Sequence, residues 1–438
     1  MADEVFEPDF DVIIVGAGCA GAVAAYQLAS AGKAVLVLER GNYAGAKNMT
    51  GGRIYTHSLK KVFPNYEEAP LQRKVAHERI SLISPNSNFT IDYTSEDLKK
   101  AGQESYTVLR APFDQWLAEQ AENAGAEIIY DMTVNDLIIN DGKVQGILVG
   151  EGEEAEPMTA SLVILADGCN SQLTTKAGLA KVAPAVHQVA VGAKECWKLP
   201  AETIESRFLC NPGEGASWLF AGDCSNGIIG GAFVYANQES VSVGIVATME
   251  EVLKQEKPVY QMLEDFKNRD EIKPLIAGGE LVEYSGHVVP EGGYEMMPEI
   301  VGNGVIVAGD AAMLCLNLGY TVRGMDFAVA SGDIAGQAAI KALDAGDTSK
   351  AGLAVYKSMM ESSWVMRDMK FYAKAPHFLE AAPGMFRGYP EMIRDIMNPL
   401  FIVDGNKREH VMGMALPPVK KAGLFSLAGV AMKAVKAL

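Results

Sequence analysis

Three glycines spaced as GxGxxG, Gly16, Gly18 and Gly21, with an acid at Glu39 further on, are the residues whose types and spacing point most directly to chemistry. Gly16 permits a sharp exit from a strand, Gly18 lets the backbone approach a pyrophosphate, and Gly21 lets a helix pack closely on a sheet. Ala17, Cys19 and Ala20 fill the rest of the turn with small side chains. The unpaired N–H groups and positive dipole end of a helix starting there favour an anion. Glu39, followed by Arg40, stands where an acid would accept hydrogen bonds from a ribose. The flanks agree, because residues 11–40, DVIIVGAGCAGAVAAYQLASAGKAVLVLER, read as apolar strand, glycine turn, small-residue helix, apolar strand and acid. The chemistry predicted is dinucleotide binding. The uncharged run 12–32 has the length of a membrane span, but its glycines divide it into strand and helix, and no transmembrane helix is expected.

Two later segments carry the same kind of strand end. LVILADG (162–168) finishes in Ala166, Asp167 and Gly168, and GVIVAGDAAM (304–313) carries Gly309 and Asp310 ahead of a long small-residue helical pattern. Taken singly, Asp310 reads as a helix N-cap and Asp167 as a turn acid. Three such ends in one chain imply a shared nucleotide-binding sheet. A helix begins near LRAPFDQWL (109–117), where Leu109, Phe113, Trp116, Leu117 and Ala121 share one face and Arg110 and Asp114 flank it. Asp141-Gly142 marks a hairpin, with Val134 at the head of its first strand. Residues 186–250 alternate apolar and polar positions, the pattern of an antiparallel sheet forming a separate domain. Residues 345–403 are helical and rich in methionine and aromatics, which read as core or as an apolar channel.

Among 438 residues, 49% are hydrophobic and 21% charged, a composition that supports a large core and two or three domains. The net charge of −17 excludes a general nucleic-acid binder. Six cysteines are scattered without a CxxC pair, which implies reduced thiols in the cytoplasm and no iron–sulfur cluster built from local sequence. No histidine pair has metal-ligand spacing, and no Ser, His or Cys arrangement suggests a nucleophile. The segment 405–438 inverts the overall charge: Lys407, Arg408, Lys420, Lys421, Lys433 and Lys436 stand against Glu409 alone. Its last stretch places Ser426, Gly429, Lys433 and Lys436 on one stripe and Leu424, Leu427, Ala431, Val435 and Leu438 on another, as a helix lying on a membrane or on a partner subunit would.

The three strand ends together resemble the flavoprotein fold of the glutathione-reductase type, in its aromatic-hydroxylase-like branch. That resemblance implies FAD, with Asp310 on a ribityl hydroxyl, the following helix directed at the flavin N1 and C2 carbonyl, Arg110 facing the cofactor, and the Val134 amide at adenine unless Val134 is plain core. No second GxGxxG with its own acid occurs, so no separate nicotinamide domain is expected. Two loops, GAKNMTGGRIY (45–55) and LNLGYTVRGMDFAVASG (316–332), closely resemble the FixC-type electron-transfer-flavoprotein:quinone oxidoreductases, a group related to geranylgeranyl reductases. The likeness extends over essentially the whole chain. It implies that Met49, Thr50, Gly51 and Gly52 lie along one side of the isoalloxazine, and Gly319, Val322, Arg323, Gly324 and Met325 along the other. Arg323 either stabilises reduced flavin or pairs with Asp326 or another carboxylate.

The resemblance further implies a two-subunit electron-transfer flavoprotein as donor, in some complexes one that bifurcates electrons from NADH, a FixX-like ferredoxin subunit with a [4Fe-4S] cluster, and a membrane quinone as acceptor. Peripheral attachment at the inner face of the cytoplasmic membrane, through the basic tail, follows from that acceptor. Prenyl reduction is the competing activity; in its WxFP motif Trp218 and Phe220 match, but Ala221 replaces the proline. A flavin monooxygenase and a non-catalytic flavin-bound scaffold are the remaining alternatives. The predicted architecture is α/β. A discontinuous Rossmann-like FAD-binding domain (1–85, 105–175 and 290–345) carries an inserted antiparallel β-sheet quinone or substrate domain (86–104 and 176–289), and a helical C-terminal region (346–438) follows.

Overall fold

The computed structural model describes residues 7–48, 52–150, 152, 155–180 and 184–438, with Leu424 and Phe425 described in backbone only. Met49, Thr50 and Gly51 lie outside the described residues.

The opening pattern folds as its spacing predicts. Strand β1 (Phe10–Val15) leads through the glycine turn into a helix, Cys19–Ser30, and back into β2 (Val35–Leu38). Val12–Val15 of β1 and all of β2 are apolar and buried, as a parallel sheet covered on two faces requires. The sheet is eight-stranded. Its main path runs β16 (Val301–Gly302), β17 (Val305–Val307), β10 (Glu156–Leu165), β1, β2, β7 (Glu127–Ile129). The pairs from β17 to β7 are parallel, so the chain ends of β1, β10 and β17 emerge on one side. A hairpin of β8 (Val134–Asn140) and β9 (Lys143–Val149) joins the early part of β10. Its turn holds Asp141 at φ 49° and Gly142 at φ 72°, the two positive dihedrals a tight hairpin of this hand demands.

The first helix packs on a much later one, Met325–Asp344, across a seam of small residues. A Cβ placed on Gly332 would sit 2.2 Å from the Ala20 carbonyl oxygen, so the approach needs hydrogen there.

The second sheet has nine strands. Its order is β15 (Glu280–Pro290), β11 (Val189–Lys198), β14 (Ser240–Thr248), β13 (Gly230–Ala236), β12 (Glu214–Gly222), β4 (Leu71–Ser84), β6 (Ser105–Val108), β3 (Gly52–Tyr55), with β5 (Ser87–Thr94) beside β4. Three of these strands, β3, β4 and β6, fall within segments that the sequence reading gave to the nucleotide domain. The antiparallel expectation also meets one exception, since β12 runs parallel to β4. Strand β4 is long enough to pair with β12 on one side and with β5 and β6 on the other, so it joins the early chain to the inserted region. One face of this sheet, including Ala193, Val234, Val243 and Ile245, packs on helices Ala201–Phe208 and Val259–Lys267. By strand alternation the other face carries Ile80, Leu219, Phe233, Tyr235 and Val246 toward the first sheet.

The region after residue 345 is helical, as expected. In the terminal helix, Leu424–Ala437, the packed face differs from the stripe read from sequence. Val430, Ala434, Ala437 and Leu438 meet Phe378, Leu379 and Ala382, while Ala431 is exposed and Val435 is 85% exposed. The small alanines let this helix lie close against helix Ala375–Glu380, and that contact sets the rotation. No helix among the described residues is long and apolar enough to cross a membrane.

Candidate cofactor site

A cavity of about 1450 Å³ opens where the ends of β1, β10 and β17 meet the free face of the second sheet. Gly16, at φ 99°, donates its N–H to the Leu38 carbonyl at 2.8 Å. A side chain at Gly16 would lie 2.5 Å from the Ala166 carbonyl, and one at Gly21 would lie 1.9 Å from the Gly16 carbonyl. Gly18 differs. Among the described residues only Arg110 Nη2 and Asn48 Nδ2 come within 4.0 Å of its missing Cβ, and Gly18 lines the cavity.

Glu39 is anchored by backbone. Its Oε2 accepts from the Ala17 N–H at 3.0 Å and its Oε1 from the Gly41 N–H at 2.7 Å, and the residue lines the cavity beside Arg40. Ala17 is thus a holder of Glu39 rather than a wall residue, and Gly21 serves helix packing. Arg110 begins helix Arg110–Asn123 and is clamped in two-point fashion on Asp114, at 2.8 and 2.7 Å. Asp114 is fully buried and also accepts from Asn48 Nδ2 at 2.6 Å. The guanidinium is therefore aimed at the Gly18 turn before any ligand arrives.

On the neighbouring strand ends, Ala166, Asp167 and Gly168 line one wall and Gly309 and Asp310 another. Burial pushes the Asp167 carboxyl up to about 6. Burial also raises Asp310, opposed by the attraction of Arg110. Among the described residues the Asp310 carboxylate has no hydrogen-bond partner, and it faces the cavity. The helix directly after Asp310 is a single turn, Gly309–Ala312. The long helix starts only at Met325, after a hairpin of β18 (Leu316–Asn317) and β19 (Val322–Arg323). Gly319, Val322, Arg323, Gly324 and Met325 from that hairpin line the cavity, as do Gly52 and Val134.

Arg323 is engaged by protein acids. Its guanidinium donates to Asp326 at 2.6 and 2.9 Å and to Asp368 at 2.8 Å, with the Phe327 ring 4.6 Å away. Such a pair is rigid, and its charge is largely spent.

Several wall residues carry no signal in the opening motif. Phe233 and Tyr235 come from β13, His287 and Glu291 from the end of β15, and Pro376, Leu379, Met385, Phe386 and Leu438 from the C-terminal helices. The alternation in GGAFVYA could have singled out Phe233 and Tyr235. Burial and the field of Arg110 and Arg40 lower the proton affinity of His287. On the same sheet face, opposite Gly244 and Ser285, Lys194 is wholly buried and its Nζ has no hydrogen-bond partner among the described residues. Burial pulls it down to about 7, against the attraction of Glu283.

The donor set fits a dinucleotide carrying a flat ring: open backbone amides at a helix start, a guanidinium beside them, an acid past the second strand, and an unpartnered carboxylate further along. Comparison with known proteins identifies the group. A family profile described as an FAD binding domain matches residues 9–195, and one described as the ETF-QO/FixC family C-terminal domain matches residues 375–438. Protein FixC of Escherichia coli O157:H7 is 48% identical over 434 residues, covering 99% of this chain and 100% of that protein. A probable electron transfer flavoprotein-quinone oxidoreductase of Escherichia coli K12 is 46% identical, covering 98% and 99%. Among solved structures, a geranylgeranyl bacteriochlorophyll reductase-like protein of Thermoplasma acidophilum shares the fold at TM-score 0.71 and 21% identity, covering 97% of this chain and 99% of its own. The flavin-dependent brominase Bmp2 shares it at TM-score 0.62 and 16% identity, covering 95% and 99%. With FAD as cofactor and relatives aligned from end to end, the chain is an FAD-dependent oxidoreductase belonging to the ETF-QO/FixC family.

Proposed function

We propose that this protein accepts electrons from a two-subunit electron-transfer flavoprotein and delivers them to a membrane quinone, with a [4Fe-4S] cluster on a separate ferredoxin-like subunit as mediator. One observation carries the reading. The segment matched by the ETF-QO/FixC profile supplies Pro376, Leu379, Met385, Phe386 and Leu438 to the wall of the cavity that begins at the glycine turn. An acceptor with a redox ring and an apolar tail finds there an apolar approach to the flavin.

FAD supplies the two-electron chemistry, and the chain's residues supply position and charge. Glu39 would hold the adenosine ribose, the helix start at Gly18 with Arg110 the diphosphate, and Asp310 the ribityl chain. Val134 would meet adenine. Gly52 on one side and Gly319, Val322, Arg323, Gly324 and Met325 on the other would flank the ring, the glycines letting backbone approach a flat group.

Membrane contact is better placed away from the terminal helix, since Val430, Ala434, Ala437 and Leu438 of that helix pack on the protein. Phe401, Val403 and Met412 are 79%, 75% and 70% exposed where helix Gly388–Phe401 gives way to helix Val411–Ala422, and Lys407 and Arg408 lie between them. Exposed apolar residues interleaved with cations suit an anionic lipid surface.

Anaerobic mixing tests the proposal. Reduced electron-transfer flavoprotein should reduce the bound flavin, and a quinone analogue should reoxidise it when the cluster subunit is present. Reoxidation by a prenyl substrate alone would overturn it in favour of a reductase.

A further inference from the structure

We propose that Glu291 is the proton donor to the acceptor, supplying the proton that a quinone-class oxidant takes up with its electrons. This rests on the quinone reading above. Reducing a quinone to its quinol consumes two electrons and two protons. The two-electron-reduced flavin anion releases both electrons and one proton. The second proton leaves the Glu291 carboxylic acid as a new O–H bond forms on the quinone oxygen, and the carboxylate is reprotonated from water.

The geometry favours this residue over the other acids of the cavity. Glu291 follows β15 directly and lines the cavity. Its Oε1 accepts from Asn317 Nδ2 at 3.2 Å and its Oε2 lies 3.2 Å from Thr248 Oγ1, so the hairpin and the last residue of β14 hold it from two sides. Asn317 immediately precedes the turn that carries Gly319, expected beside the isoalloxazine. Both partners are neutral donors whose hydrogen bonds favour the carboxylate, and burial outweighs them to raise the proton affinity of the carboxyl.

The surrounding titratable groups leave that state intact. Cys315, on the approach to β18, has its thiol driven up by burial and by Asp310 and Glu291. Glu250 and Glu251, just beyond Thr248, line the same cavity, as does His187. His287, earlier on β15, is kept toward its neutral form. Arg323 on β19 is occupied by Asp326 and Asp368. Asp167 and Asp310 stand at the strand ends of the nucleotide sheet, whereas Glu291 comes from the second sheet, on the acceptor's side.

The test uses the flavin-loaded protein and its Glu291→Gln and Glu291→Asp variants, each with the cluster subunit present. In an infrared pH titration, the wild type should keep a protonated carboxyl signal above the ordinary glutamate range, and Glu291→Gln should lack it. In stopped flow, reoxidation by a quinone analogue should slow by roughly 100-fold in Glu291→Gln, the scale of one general-acid contribution, with partial recovery in Glu291→Asp. Reoxidation by ferricenium, which takes electrons without protons, should be unchanged. Equal quinone rates in wild type and Glu291→Gln, or equal slowing with ferricenium, would overturn the role of Glu291 alone. A wild type that ferricenium reoxidises and the quinone analogue does not would overturn the quinone reading and this inference with it.

Discussion

Replacing Lys194 with methionine should stabilise the protein, by an amount that depends on pH. The ammonium is wholly buried on the cavity side of the second sheet and makes no hydrogen bond among the described residues. Its proton leaves at about 7 in the folded chain, against an ordinary 10.5 for lysine. Between those values the unfolded chain binds the proton more tightly than the folded one, so raising the pH relieves a penalty that is largest below about 7. Linkage puts that penalty at about 4 kcal/mol near pH 7 and about 1 kcal/mol near pH 9.5. Methionine has a similar length and carries no charge, and imperfect repacking would return part of the gain, about 1 kcal/mol. Urea unfolding of wild type and Lys194→Met at the two pH values gives the difference directly. Matched flavin content is required, because a ligand that binds only the folded state shifts apparent stability. A gap that is the same at both pH values, or a variant less stable than wild type at both, would refute the account of an uncompensated buried charge.

Other perturbations probe separate parts of the structure. Glu39→Ala removes two backbone-anchored acceptor bonds at the nucleotide turn and should weaken FAD retention at least tenfold, about 1.5 kcal/mol or more, read by flavin fluorescence on dilution. Arg323→Ala leaves the buried Asp326 with the His57 ring as its neighbour, at 3.3 Å, and should cost about 3–5 kcal/mol in thermal or urea unfolding; an unchanged midpoint would show the pairing to be dispensable. Phe401→Asp should abolish binding to anionic vesicles, while removal of residues 423–438 should leave that binding largely intact; the reverse pattern would return membrane contact to the terminal helix.

Much of the site was legible because the cofactor end is encoded locally. Gly16, Gly18, Gly21 and Glu39 are close in sequence, and each obeys a steric or electrostatic demand that a single turn imposes. Asp167 and Asp310 could be aligned with them because parallel strands ending on one side leave a repeated signature. The opposite wall was harder to see. Phe233, His287 and Glu291 reach the cavity through strand pairing across long stretches of chain, and nothing in a short window distinguishes a cavity-facing strand residue from a core one. Strand β4 was misplaced for the same reason, since its period-2 pattern specifies a strand but not which sheet receives it. In the terminal helix, two adjacent apolar stripes satisfy helical spacing, and only the contact with Phe378 and Leu379 chooses between them.

The seam between Ala20 and Gly332 also sets a timetable. The glycine turn leaves the ribosome well before the helix it docks on, which ends at residue 344, and β1 must await β10 as its parallel neighbour. Pairings this distant in sequence are slow to form, and until they do the apolar edge of β1 is bare. Cofactor capture is therefore expected as a late event in biogenesis, and chains truncated before residue 325 should emerge as aggregation-prone, flavin-free species rather than as loaded fragments.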